Sequence, residues 1–454
     1  MSLPAPADGR PVPPADARPS LAPDEVARAV RAATWSVYAV FAANGVLIST
    51  LLARLPAVRD DLGLSPQQLG LLLLAGSVGS LLALPTAGAL VQKLGVRPVV
   101  LAGAVLATTG VAFVGVAPDR TFLAAGLFVW GFANGAWDVA MNVEAADVER
   151  RLGVTIMPRF HGLWSVGTVV GAGIAAGVAF LTIGRGPHLV VMAGVVLVLA
   201  VLSVRSFLPA ALGSRGAAAE HAETEAARVA AGGERARTYS LLDAWREPRT
   251  LLVGLTMLGF ALAEGIAGDW LAIAVVDSRD AAEYVGVAMY WVFLVSVMVG
   301  RFVGPVVLDR YGRYRPLLVM AGMVVAGVLT VVLVPGVVGA AIGALLWGIG
   351  ASLGFPVGMT AAADDPVRAA VRVSVVASIA YTAFLAGPPL VGLLGERFGT
   401  DLALLTAVGA ALLAAACAVG MRPVPPSLGG ASDGAGAPGD PGLDVAAGEP
   451  AVRG

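Results

Sequence analysis

From about residue 33 to residue 421 the chain alternates long apolar runs with short polar interruptions. A hydrocarbon core about 30 Å thick takes about 20 helical residues to cross. Twelve runs reach that length, near 33–53, 67–91, 98–116, 121–143, 162–182, 188–208, 249–275, 284–308, 316–334, 337–360, 373–394 and 399–421. Each predicts one membrane-spanning helix. The longest polar interruption, "RSFLPAALGSRGAAAEHAETEAARVAAGGERARTYSLLDAWREPRT", falls after the sixth run and divides the chain six plus six. The expected organisation is a disordered cytosolic tail over 1–32, a six-helix bundle over 33–208, a cytosolic linker over 209–248, a second bundle over 249–421 and a disordered tail over 422–454. Within the linker, "SLLDAWREP" reads as a short interfacial helix.

Composition agrees with the pattern. The chain has 454 residues, 57% of them hydrophobic and 13% charged, with a mean hydropathy of +0.82. The first 32 residues are rich in Pro, Ala and charge and lack the apolar core of a signal peptide. One cysteine, Cys417, excludes an intramolecular disulfide. A net charge of −1 without a basic cluster argues against a nucleic-acid partner. If the amino terminus is cytosolic, only Arg54, Arg59, Arg120, Arg185, Arg279 and Arg397 face outward among the 30 Lys and Arg residues, so both termini are expected inside.

The halves resemble each other. At one offset of 217 residues Gly95 matches Gly312, Trp130 matches Trp347, Gly131 matches Gly348 and Trp164 matches Tyr381. "QKLGVRP" and "LDRYGRYRP" occupy equivalent loops.

Several apolar runs carry polar groups. In "GFANGAWDVAMNVEA", Asn134, Asp138 and Asn142 recur every four residues, a stripe that turns about 40° per step and covers about 12 Å of helix axis. Trp130, Trp137 and Met141 border it. A charged Asp facing lipid near the bilayer centre costs about 2.5–3.5 kcal/mol, so Asp138 should face a cavity or a partner. The offset maps the stripe onto Ala351, Phe355 and Met359, so only one half carries it. That asymmetry suits a ligand better than a network the fold requires, although an interhelical hydrogen-bond cluster is the structural alternative. Glu264 in "ALAEGIAGDW" aligns with Asn44 in "FAANG" after a small shift, and is read as a binding or proton-coupling group, against a structural hydrogen bond. Asp269 lies closer to the outer end and His161 at an inner interface, each with a structural reading as well. Trp164 and Tyr381 are candidate cavity aromatics. Gly167, Gly171 and Ala175 allow the fifth helix to pack closely. "GPPL" at 387–390 should break or bend the eleventh, because prolines lack amide donors.

Twelve spans, a central inner loop and the loop residues Asp309, Arg310, Gly312 and Arg313 together resemble the major facilitator superfamily. "GAWDVAMNVEA", "MPRFHGLWSVGT", "AEGIAGDW" and "AYTAFLAGPPLVG" narrow the resemblance to its fucose permease-like, YbjJ-like branch. It implies an all-α membrane protein of two pseudo-symmetric six-helix bundles in the cytoplasmic membrane, with the solute site between helices one, four, seven and ten. It assigns gating to Lys93, Arg97, Arg301, Asp309, Arg310 and Arg313. The first loop has Gln92 where the family's Asp stands, so the Asp role passes to Asp309. Asn44, Asn134, Trp137, Asp138, Asn142, Trp164, Glu264 and Tyr381 are the expected substrate residues, with Asp138 and Glu264 coupling protons. Known proton-coupled members of the branch carry acids in helices one and four; helix one here offers only Asn44, so the coupling is this chain's own expectation.

The expected activity is alternating-access symport of a small polar, sugar-like solute by a monomer. The alternative is proton-driven export of amphipathic or cationic compounds, weakened by Ala172 standing where drug antiporters carry a proline. No metal-ligand cluster, cofactor motif, nucleotide loop or catalytic set is legible, so an enzyme is not expected.

Overall fold

The computed structural model describes residues 22–154, 156–209, 212, 240–364 and 368–422. Twelve helices there are long and apolar enough to cross a membrane. Spans 1 to 6 are Pro23–Asp61, Pro66–Leu94, Val96–Val116, Arg120–Leu152, Met157–Phe180 and Arg185–Val204. Spans 7 to 12 are Pro248–Arg279, Glu283–Tyr311, Tyr314–Leu333, Gly336–Ala362, Val371–Phe398 and Thr400–Met421. Helices suit lipid because they satisfy their own backbone donors and acceptors. Between the halves, Leu241–Arg246 forms the short helix expected in the linker, opened by a Ser240–Asp243 capping box. Most of that linker, and the tails over 1–21 and 423–454, lie outside the described residues.

Three boundaries differ from expectation. Span 1 opens at Pro23, inside the segment expected to be a tail, because Pro23 starts the helix and Asp24 and Glu25 favour its first turn. Span 11 runs unbroken through Pro388 and Pro389. The interruption is in span 10 instead, where one helix ends at Ala351 and the next begins at Gly354, with Ser352 and Leu353 in the turn.

The repeat is a repeat of contacts. A Cβ on Gly131 of span 4 would collide with Gly76 O of span 2, and a Cβ on Gly348 of span 10 would collide with Phe293 O of span 8. Residues 76 and 293 are 217 apart, as are 131 and 348. Gly110 meets Trp130 N as Gly327 meets Trp347 N, again at that offset. Gly95 and Gly312 end spans 2 and 8 at positive φ, 94° and 70°, which glycine adopts without steric cost. The carbonyls ending spans 3 and 9 are also capped alike, but from different helices. Arg185 donates to Val114 O and Ala117 O at 2.6 and 2.9 Å; Arg279 donates to Val331 O and Val334 O at 2.6 and 3.2 Å.

The halves meet along two seams related by the pseudo-twofold. Span 2 packs on span 11, where Gly70 lies against Pro388 O, and span 5 packs on span 8, where Gly173 lies against the Trp291 indole. Buried small and branched residues fill the bundle interiors, while Leu82, Leu106, Val191, Val319, Val338 and Leu412 stay exposed on its wall.

Candidate substrate site

The polar groups of the first half converge on one chain of hydrogen bonds. Trp164 Nε1 of span 5 donates to Asn44 Oδ1 of span 1 at 2.9 Å, and Asn44 Nδ2 donates to Asn134 Oδ1 of span 4 at 2.9 Å. Small residues make this possible. Gly45 leaves room for Trp164 O, and Gly167 for Ala42 O, so the backbones of spans 1 and 5 touch on both sides of the bond. Asn44 is buried, whereas Asn134 and Trp164 are half-buried.

Asp138 and Asn142 continue the stripe down span 4. Asn142 Nδ2 donates to Asp138 O at 2.8 Å and to Asp138 Oδ1 at 3.3 Å, a bond within one helix. Asp138 lies within electrostatic reach of Tyr381 of span 11. Tyr381 sits between Phe355 and Phe384, with ring centroids 6.3 and 6.2 Å away.

Opposite lies an arginine. Arg301 Nη2 of span 8 donates to Glu264 Oε1 of span 7 at 3.0 Å, and Nη1 donates across the halves to Ser165 Oγ at 3.0 Å. Its guanidinium stands 5.6 Å above the Trp164 ring, within cation–π reach. The Glu264 and Arg301 side chains remain 26% and 20% exposed, so solvent reaches the pair. His161 packs edge-on to Phe41 and feels the Arg301 charge. Asp269 is half-buried with no hydrogen bond among the described residues, and bears with Glu264 on the buried Tyr290.

The structure thus brings Asn44, Asn134, Trp164, Glu264 and Arg301 into one connected cluster, with Asp138, Asn142 and Tyr381 beside it. One assignment changes. Trp137, expected to line the site, is fully buried against Gly103 of span 3, because one residue along a helix is a 100° turn away from Asp138. Arg301, expected to support the gate, lies about two turns from the loop, where it bonds Glu264 within its own half and Ser165 across the halves.

The remaining gate residues stay near the face where span 1 begins and span 12 ends. Arg313 Nη1 takes both oxygens of Asp364 at 2.7 and 2.9 Å, and Arg249 adds a bond at 2.9 Å, all within the second half. Arg97 donates to Phe207 O within the first. Arg310 stacks on Tyr311, Lys93 is exposed, and Asp309 is exposed without a polar partner among the described residues. The opposite face is bridged across the halves. Arg59 Nη1 meets Asp277 Oδ2 at 2.7 Å, Thr400 Oγ1 donates to the same oxygen at 2.9 Å, and Arg54 lies 3.5 Å from Glu283. Charge asymmetry along the sequence places Arg54 and Arg59 outward but does not pair them, because their partners are more than 200 positions away.

Comparison with known proteins now decides the family. The profile of the Major Facilitator Superfamily matches residues 34–383. The chain belongs to the Major Facilitator Superfamily. An uncharacterised MFS-type transporter of Yersinia pestis is 33% identical over 345 residues, covering 75% of this chain and 83% of the relative. The uncharacterised transporter y4wD of Sinorhizobium fredii is 30% identical over 361 residues, 79% of this chain and 90% of its own. A mutant form of the nucleoside transporter NupG superposes with a TM-score of 0.68 at 12% identity, over 86% of this chain and 99% of that one, a likeness of fold. This superfamily consists of transporters rather than enzymes, and its general activity is secondary transport by alternating access.

Proposed function

We propose that this superfamily member carries a small, polar, sugar-like solute across the cytoplasmic membrane, with protons as the coupling ion, and works as a monomer. The observation that carries the reading is the facing of two unlike polar groups across the halves: the Asn44–Asn134–Trp164 chain on one side, and the Arg301–Glu264 pair on the other. Amides, a carboxylate and aromatic faces together suit hydroxyl-rich rings. Arg301 beside the site counts against a purely cationic cargo, the cationic part of the export alternative.

Asp138 and Glu264 are the proposed proton carriers. Among the described residues Asp138 has only its helix neighbour Asn142 as a hydrogen-bond partner, and Glu264 is held by an arginine that is bonded across the halves. Protonating Glu264 weakens its hold on Arg301, which links proton uptake to a contact that breaks when the halves move. With both termini cytosolic, as the Arg and Lys distribution favours, the bridged face is the outer one. The bundles over 33–208 and 249–421 are the bodies that rock.

The test is uptake into proteoliposomes of any solute that raises the melting temperature in a screen of sugars, polyols, small acids and hydrophobic cations. Sugar or polyol uptake driven by a pH gradient, and lost in Asp138→Asn, supports the reading. Gradient-driven uptake that survives neutralising both Asp138 and Glu264 removes proton coupling from it.

A further inference from the structure

Hydrogen-bond chemistry gives the central chain a direction. An indole nitrogen carries a proton and can only donate. Trp164 Nε1 lies 2.9 Å from the Asn44 amide, so the atom it meets is the carbonyl oxygen. Asn44 Nδ2 must then be the donor to Asn134, 2.9 Å away, and Asn134 must answer with Oδ1. That leaves Asn134 Nδ2 with its protons and no partner among the described residues. One helical turn on, the Asp138 carboxylate accepts a single 3.3 Å bond at Oδ1 from Asn142. The chain cannot easily turn over, because Asn44 is 1% exposed and the Gly45 and Gly167 contacts clamp spans 1 and 5 around it.

We propose that Trp164 is a positioning residue for ligand selectivity: acting through Asn44, it holds Asn134 as an obligate donor beside the Asp138 acceptor. The site therefore takes a neutral ring compound that offers an acceptor oxygen and a donor O–H or N–H about 6 Å apart, the spacing of side chains one turn apart on a helix. The Phe355, Tyr381 and Phe384 rings near Asp138 supply apolar faces for such a ring. A pyranose and a nucleoside both carry this chemistry. The inference rests on the reading of this region as the solute site.

The experiment measures thermal shifts of the full-length protein in nanodiscs against two probe series. One is glucose, galactose, mannose, fucose and xylose with their deoxyfluoro analogues, in which a weak acceptor remains and the donor is lost. The other is uridine and adenosine with their N-methyl analogues. In the wild type, a binding series should separate into analogues that keep affinity and analogues that lose about tenfold, the worth of one hydrogen bond. Trp164→Phe keeps the ring but removes the donor, and Asn44→Leu cuts the chain at its middle. Each frees Asn134 to turn its Oδ1 toward the ligand, so analogues that kept affinity by offering Asn134 only an acceptor should lose it as well, and the separation should shrink to about twofold in both. Because the readout is a ratio within each variant, a general loss of affinity does not imitate it. Wild-type separation in both variants overturns the proposal. If Asp138→Asn abolishes binding while both variants keep that separation, the solute site stands and the role of Trp164 falls. If no member of either series binds the wild type, the two readings fall together.

Discussion

At the scale of single residues, the ionisable groups inside the spans differ in how they are held, and their variants should differ accordingly. Asp138 is half-buried and accepts one long bond from its own helix. Asp138→Asn should therefore leave stability within about 0.5 kcal/mol of wild type, while abolishing gradient-driven uptake and weakening solute counterflow, because the carboxylate is also an acceptor for the solute. Melting curves and the two transport modes check both halves of that expectation. Glu264 and Arg301 are held by each other. Removing either alone strands its partner, at about 1–3 kcal/mol before discounting for the solvent that reaches the pair. Glu264→Ala combined with Arg301→Ala should cost less than the sum of the two, and additive losses in a double-mutant cycle would show that the pair is not coupled. Asp138, Asn142 and Glu264 were legible in the sequence because a polar group in an apolar run is conspicuous. Trp137 was misplaced because a bulky aromatic next to an Asp suggests proximity, whereas helical phase turns the two apart.

At the scale of helices, the glycines decide how closely spans approach. Gly131 has the backbone of Gly76 where a Cβ would go, so Gly131→Ala should separate spans 2 and 4 and lower stability by about 1–3 kcal/mol. Gly177→Ala has open space at the same atom and should be neutral or slightly stabilising. A shared drop in melting temperature for both variants would mean that helix flexibility, not contact, is being measured. The twelve runs were readable from hydropathy, and the closeness of span 5 to its neighbour from the spacing of Gly167 and Gly171. Of the break or bend expected at Pro388 and Pro389, the break is absent. A missing donor does not oblige a helix to stop when neighbouring groups can accommodate the ring, and the turn appears at Ser352 and Leu353, which no proline marks.

At the scale of the whole molecule, ion pairs join the halves at the face where span 1 ends and span 7 ends, and the described ion pairs near the opposite face stay within one half. Arg59→Ala with Glu283→Ala should therefore shift the population toward a state open on the bridged face. Single cysteines lining that face, placed in an otherwise cysteine-free background, should react faster with an impermeant maleimide in the double variant. Unchanged labelling would mean that seam packing such as Gly70 on Pro388, rather than charge, holds the face closed. The membrane class, the number of spans, the six-plus-six division and the 217-residue repeat were determined by the sequence alone, because length, hydropathy and internal similarity are properties of one dimension. The pairing of Arg59 with Asp277, of Arg301 with Ser165, and of Trp164 with Asn44 was decided only by the tertiary structure. Each joins residues more than 100 positions apart, and what brings them together is the packing of small-residue faces across helices, which no local pattern in the chain records.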